Sequence, residues 1–268
     1  PVLFHDALKA YDEASGVDPG WAEPLVRVGA LFLSKYDSQS AQTEFNKVLA
    51  LNPRHPAALL GLAEALEFDN APGASNVLNR LLEVNPNHAE ARALLAAQHL
   101  TREGHAEARA EAEKALGVNP NALVALTALA GSHMLAGDDA DFREVRSRAL
   151  TINPRYAALD ATLAELSVRT RRYAQAVTRA KAAIELDSAS WEAWGLLGLN
   201  ELRLGNIEVG NAHLERAFEG DPYNPWFKNT LDLLDTFERF ESISTEHFEL
   251  FLHGTEPDLL ATYLAPIA

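Results

Sequence analysis

Cysteine is absent from the 268-residue chain, which excludes disulfides, thiolate zinc sites, iron–sulfur clusters and a cysteine nucleophile. Positive charge is scarce. Lys and Arg number 23 against 38 Asp and Glu, a formal net charge of −15. That balance argues against a broad nucleic-acid or anionic-membrane surface, which needs clustered cations. No uncharged apolar run approaches the ~18–20 residues of a membrane span. Methionine occurs once, as Met134, and the chain opens on Pro1-Val2-Leu3, so a trimmed or processed start is expected. No histidine is followed directly by glutamate; the His-Glu-x-x-His helix of zinc peptidases therefore cannot form. Phosphate-loop, G-x-G-x-x-G and G-x-S-x-G signatures are also missing, and neither catalysis nor a cofactor is expected of this segment.

What is present is a repeat. Asp18-Pro19, Asn52-Pro53, Asn85-Pro86, Asn119-Pro120, Asn153-Pro154 and Asp221-Pro222 recur at proline spacings of 34, 33, 34, 34 and 68, the last being two periods. The absent member is Asp187-Ser188. A period of this length is the signature of a stacked supersecondary unit. Other columns keep the register. Val28, Leu62, Leu95, Leu129, Leu163 and Leu197 are each followed by Gly29, Ala63, Ala96, Ala130, Ala164 and Gly198. A second small column reads Ala7, Ala41, Ala74, Ala108, Ala176 and Gly210, broken once by Phe142. Within each half-repeat apolar residues recur at three and four, so each unit is a pair of amphipathic helices. Small residues let the paired backbones approach. Proline ends each second helix, and Gly104, Gly137 and Gly205 are expected in the turns between the paired helices.

These columns resemble the tetratricopeptide repeat: a 34-residue period, a Leu-Gly/Ala step in the first helix, an Ala–aromatic–Ala second helix and a terminal proline. Leu25, Val28-Gly29, Phe32, Ala41, Phe45 and Pro53 match it closely, whereas Phe4, Ala7, Tyr11, Ala14 and Pro19 match only a second helix. The resemblance implies an all-α chain, a right-handed α-solenoid of helical hairpins. A leading half-repeat, about six repeats and a final long helix (224 to 240) should fill residues 1–240, in an elongated shape. Residues 241–268 alternate with period two and then turn helical, which reads as a β-hairpin and helix, either a cap or the start of a second domain. The stretch FESISTEHFELFLH from Phe240 to His253 resembles the opening of gluzincin-type zinc peptidase domains, without their catalytic motif.

In the resembling family, first helices line a concave groove that holds a partner. Carried over by slot, the candidates are Leu33, Leu60, Glu64, Glu67, Phe68, Leu100, Met134, Glu165, Arg169, Leu199 and Arg203. The slots that grip a C-terminal carboxylate in chaperone-binding members hold Val26, Ala30, Leu60, Glu64, Ala93, Ala97, Thr127 and Gly131, with neither Lys nor Asn. A carboxylate clamp is therefore not expected. Apolar positions mixed with glutamates suit a protein or peptide segment with apolar anchors and basic residues. His99 and His133 share one slot 34 residues apart; filling the aromatic slot between paired helices outweighs metal binding. Trp191, Trp194 and Trp226 read as core, and His55 and His88 as exposed loop residues. Two other functions fit the same residues: an accessory region ahead of a zinc peptidase domain, and a structural spacer whose tail fills the groove.

Overall fold

The computed structural model describes residues 2–244 and 249–254. A leading helix α1 (Val2–Val17) precedes six hairpins. Their first helices are α2 (Glu23–Leu33), α4 (Pro56–Phe68), α6 (Ala89–Thr101), α8 (Leu123–Ala136), α10 (Ala157–Arg169) and α12 (Trp191–Arg203). The second helices are α3 (Ser38–Leu51), α5 (Ala74–Val84), α7 (His105–Val118), α9 (Asp139–Ile152), α11 (Tyr173–Leu186) and α13 (Ile207–Gly220). A last first-type helix, α14 (Pro225–Asp235), follows. The chain is an all-α helical-repeat solenoid.

Each second helix ends on a turn built by the Asn or Asp of the repeated dipeptide. The side chains of Asn52, Asn85, Asn119, Asn153 and Asp187 accept a hydrogen bond from the backbone N–H two residues on, at 3.0–3.1 Å. Those residues are extended, with φ between −130° and −145°, the conformation that a following proline also demands. The break at Asp187-Ser188 therefore has the same shape without its proline. His55 and His88 are not loop residues. Their Nδ1 atoms accept from Ala58 and Ala91 and cap α4 and α6.

Turns inside the hairpins all use the left-handed region, at Tyr36, Asn70 and Gly73, Glu103, Gly137, Arg171 and Gly205. Three of the six turns do so without glycine. In the third hairpin the left-handed residue is Glu103, and Gly104 is an ordinary N-cap at φ −83°.

The small columns are the packing surface. Ala41, Ala108, Ala176, Ala96, Ala130 and Ala164 are completely buried. At Gly198 and Gly210 the backbones of α12 and α13 lie so close that a Cβ on either would meet the other's carbonyl oxygen at 2.8–2.9 Å. Most neighbouring first helices touch, α2 with α4, α6 with α8, α8 with α10 and α10 with α12, and α6 even reaches α10, two hairpins away. No comparable contact joins successive second helices among the described residues. First helices thus form the inner, tightly curved wall.

Two expectations change. The helix from 224 stops at Asp235, followed by a 3₁₀ turn (Thr236–Arg239) and a strand β1 (Phe240–Ser244), so 224 to 240 is not one helix. The Thr236 hydroxyl donates to the Leu233 carbonyl, and β1 pairs antiparallel with β2 (Glu249–His253), drawing Phe240 into a ladder opposite His253. Phe248 and the helix expected after Glu256 lie outside the described residues. The solenoid is also not extended end to end: its first and last hairpins meet.

Candidate functional site

That meeting is made by the turn after α2 and the segment entering α14. The Tyr36 hydroxyl donates to the Asp221 carboxylate and lies 3.3 Å from the Asn224 amide nitrogen. Trp226 packs on the rings of Phe68 at 5.4 Å and Tyr36 at 5.8 Å, and the Lys35 ammonium sits 4.3 Å above the Tyr223 ring. Burial and the Asp221 carboxylate push the Tyr36 phenol up to about 12. A non-glycine residue at φ 63° presents that ring. We call this contact the clasp.

High curvature explains why the ends can touch. On α8, Gly131 leaves room for the side chains of Leu166 and Leu100, which a Cβ there would meet at 2.7 and 3.0 Å. Three first helices close over that gap, so the middle of the inner wall is filled with apolar side chains.

The candidate residues divide accordingly. Leu100 and Met134 are buried in the core rather than presented on the wall. Leu33, Leu60, Glu67 and Leu199 are half-buried. Phe68 is also half-buried, and its ring is covered by Trp226 of the same chain. Glu64, Glu165, Arg169 and Arg203 meet solvent. Arg203 lies 2.9 Å from the Asn200 amide oxygen and over the Tyr173 ring. Arg169 and Leu100, with Leu166 and Leu135, border a cavity of about 450 Å³ at the turn edge of the third to fifth hairpins.

The glutamates share an unusual environment. Glu64 and Glu165 contact solvent, yet protein surrounds them on a concave wall, so their hydration is partial. Burial raises the Glu64 carboxyl, with Glu90 adding to the rise. Burial pushes Glu165 up to about 7; Glu192 raises it further and Arg169 opposes. Burial raises Glu192 too, and its charge also acts on Tyr36 at the clasp. One acidic field therefore runs from α10 through α12 to the clasp.

Glu90 and Glu192 were missed by slot transfer, yet the signal was there. They share one column with Glu23 and Trp226, the fourth position after the proline slot. Trp226 is half exposed and forms the clasp, so it is not a core residue. Trp194 packs beside His213 and its indole N–H donates to the Ser188 carbonyl.

His133 is buried, with Nδ1 at 3.3 Å from Arg109, 3.4 Å from Asp138 and 3.8 Å from Asp141. These three acid and imidazole groups could reach one cation. The Arg109 guanidinium already pairs with Asp138 at 3.2 Å, which fits an ion-paired turn better than a metal centre. His99 is not part of it.

Comparison with known proteins agrees with this geometry. Models of the tetratricopeptide repeat match residues 32–97 and 162–225. The fold is similar to the crystal structure of a tetratricopeptide repeat protein from Parabacteroides merdae, at TM-score 0.61 and 19% identity, over 87% of this chain and 92% of that one. It is similar to a chain of the APC/C hetero-tetramer Cut9–Hcn1 (TM-score 0.59, 15% identity, 86% of this chain, 46% of that one). A third likeness is to pilF of Pseudomonas aeruginosa, at TM-score 0.51 and 14% identity, over 81% of this chain and 99% of that one. No curated protein sequence matches the chain.

Proposed function

Because the chain belongs to the tetratricopeptide-repeat family, whose solenoids are protein-interaction scaffolds, we propose that it is a non-catalytic scaffold holding a basic segment of a partner protein against its inner wall. The observation that carries this reading is the acidic inner wall: burial raises the carboxyls of Glu64, Glu165 and Glu192, with Glu90 adding to the rise at Glu64 and Glu192 to that at Glu165. A cation placed beside any of them would lower it back. Arginine or lysine side chains of a partner supply that cation, while Leu33, Leu60 and Leu199 offer apolar contact at the wall. Apolar burial sets most of the affinity, and the acidic field sets orientation and on-rate.

The clasp makes the groove a nearly closed ring. An extended segment suits that space better than a folded domain, and threading or transient opening admits it. The experiment is a binding titration of amphipathic peptides that differ only in Lys/Arg against Glu content. The basic series should bind more tightly than the acidic one, and that difference should shrink in Glu165→Gln/Glu192→Gln. Equal binding of acidic and basic series would remove the reading.

A further inference from the structure

On the outer side of the solenoid, Phe142 stands where other repeats carry alanine or glycine. Its ring is buried, and α9 makes almost no backbone contact with α10, whereas α3–α4, α7–α8 and α11–α12 pack closely. Two arginines fill the widened seam. Asp160 of α10 is completely buried. It accepts hydrogen bonds from Arg146 Nε and Nη2 at 3.0 and 2.5 Å and from Arg179 Nη1 at 3.3 Å. The Arg179 guanidinium lies 4.5 Å above the Phe142 ring.

A cavity of about 490 Å³ opens there, lined by Phe142, Arg143, Arg146, Leu150 and Arg179 among others. Its charge does not balance. Three guanidiniums and one carboxylate leave a surplus of two positive charges, in a chain whose net charge is −15. Neutralising Asp160 needs only one arginine. Arg143 makes no ion pair among the described residues, and the buried Nε of Arg179 has no hydrogen-bond partner. Nη1 of Arg146 and Nη2 of Arg179 are likewise not used on Asp160.

We propose that this cavity binds a phosphate monoester carried on an aromatic or apolar body. A phosphate monoester brings about −1.5 to −2 charges at neutral pH, which matches the surplus. Its oxygens accept the paired donors that guanidinium groups present in a plane. The Phe142 ring and Leu150 supply an apolar floor for the body. Asp160 holds Arg146 and Arg179 in place, so the donors are set before the ligand arrives. The cavity lies between second helices, away from the glutamates of the inner wall. This inference stands or falls separately from the groove reading.

The test is calorimetric titration of the full chain with phenyl phosphate, phenol, and a phosphotyrosine peptide beside its unphosphorylated form, at 0.15 M salt. Phenyl phosphate should bind saturably and phenol should not. Arg143→Gln removes a solvent-exposed side chain without disturbing the Asp160 pair, and should weaken binding about tenfold or more, the effect of one charged hydrogen bond. Arg54→Gln, on a distant exposed turn, should leave it unchanged. Both variants should keep the parent circular-dichroism spectrum. Tighter binding of the phosphopeptide than of phenyl phosphate assigns the ester to a partner polypeptide; equal binding assigns it to a small molecule. Absence of saturable phenyl phosphate binding, or equal losses in Arg143→Gln and Arg54→Gln, overturns the proposal.

Discussion

Trp226→Ala should open the ring. The indole is 50% exposed, so about half of a tryptophan's surface, ~100 Å², leaves water in the clasp, and at ~25 cal/mol per Å² that is ~2.5 kcal/mol. The ring pairs with Phe68 and Tyr36 contribute roughly 0.5–1.5 kcal/mol each. Part of the burial is against the segment's own helix, so closure should lose ~2–4 kcal/mol, a shift of roughly 30- to 900-fold in the open-to-closed ratio. The chain has no cysteine, so Gln39→Cys and Asn229→Cys take spin labels at two exposed sites alone. Dipolar distance measurement should give a narrow distribution for the parent and a longer, broader one for Trp226→Ala. Trp21 is 51% exposed and takes no part in the clasp, so Trp21→Ala should leave the distribution as in the parent. A parent distribution that is already broad, or one unmoved by Trp226→Ala, would refute the clasp.

Glu165→Gln should stabilise the chain at pH 8 and change little at pH 5. A carboxyl raised in the fold from 4.5 to about 7 contributes stability below pH 4.5 that is lost as pH rises through 7. Because it meets solvent, screening leaves only about 1 kcal/mol, readable as the difference in thermal midpoint between the two pH values. Ala108→Leu should overpack a completely buried column and cost ~1–3 kcal/mol in denaturant titration, while Ala57→Leu, exposed, should be nearly silent. Ser188→Pro should raise stability by about 0.5–1 kcal/mol in the same titration, because Asp187 already holds the extended conformation at φ −145° and the Ser188 N–H donates to no backbone carbonyl among the described residues.

Where the sequence was legible, the reason was periodicity. The Asn-Pro breaks, the Leu-Ala steps and the Ala41, Ala108 and Ala176 column each report a local constraint that repeats, so a single mismatch cannot hide it. Even the missing proline at Ser188 was recoverable from Asp187. Contacts between distant repeats carry no such signal. Nothing in the 34-residue period says that Tyr36 reaches Asp221, 185 residues away, because superhelical curvature sums small rotations over six hairpins. Phe68 therefore read as an open anchor, although Trp226 covers it. Leu100 and Met134 read as wall residues because slot transfer assumes average curvature, whereas Gly131 lets α6, α8 and α10 close over them. Gly104 does lie in the turn between α6 and α7, but the left-handed residue there is Glu103, which composition alone does not favour.

The most direct test of the account is the pH dependence of partner binding. An amphipathic Lys/Arg peptide titrated into the parent chain should bind more tightly at pH 8 than at pH 6, because Glu165 ionises near 7 and the ligand needs its charge. In Glu165→Gln/Glu192→Gln that pH dependence should vanish, while the apolar part of the affinity stays. Affinity that is flat across this range in the parent, or that keeps its pH dependence in the double variant, would contradict an acidic inner wall as the binding surface.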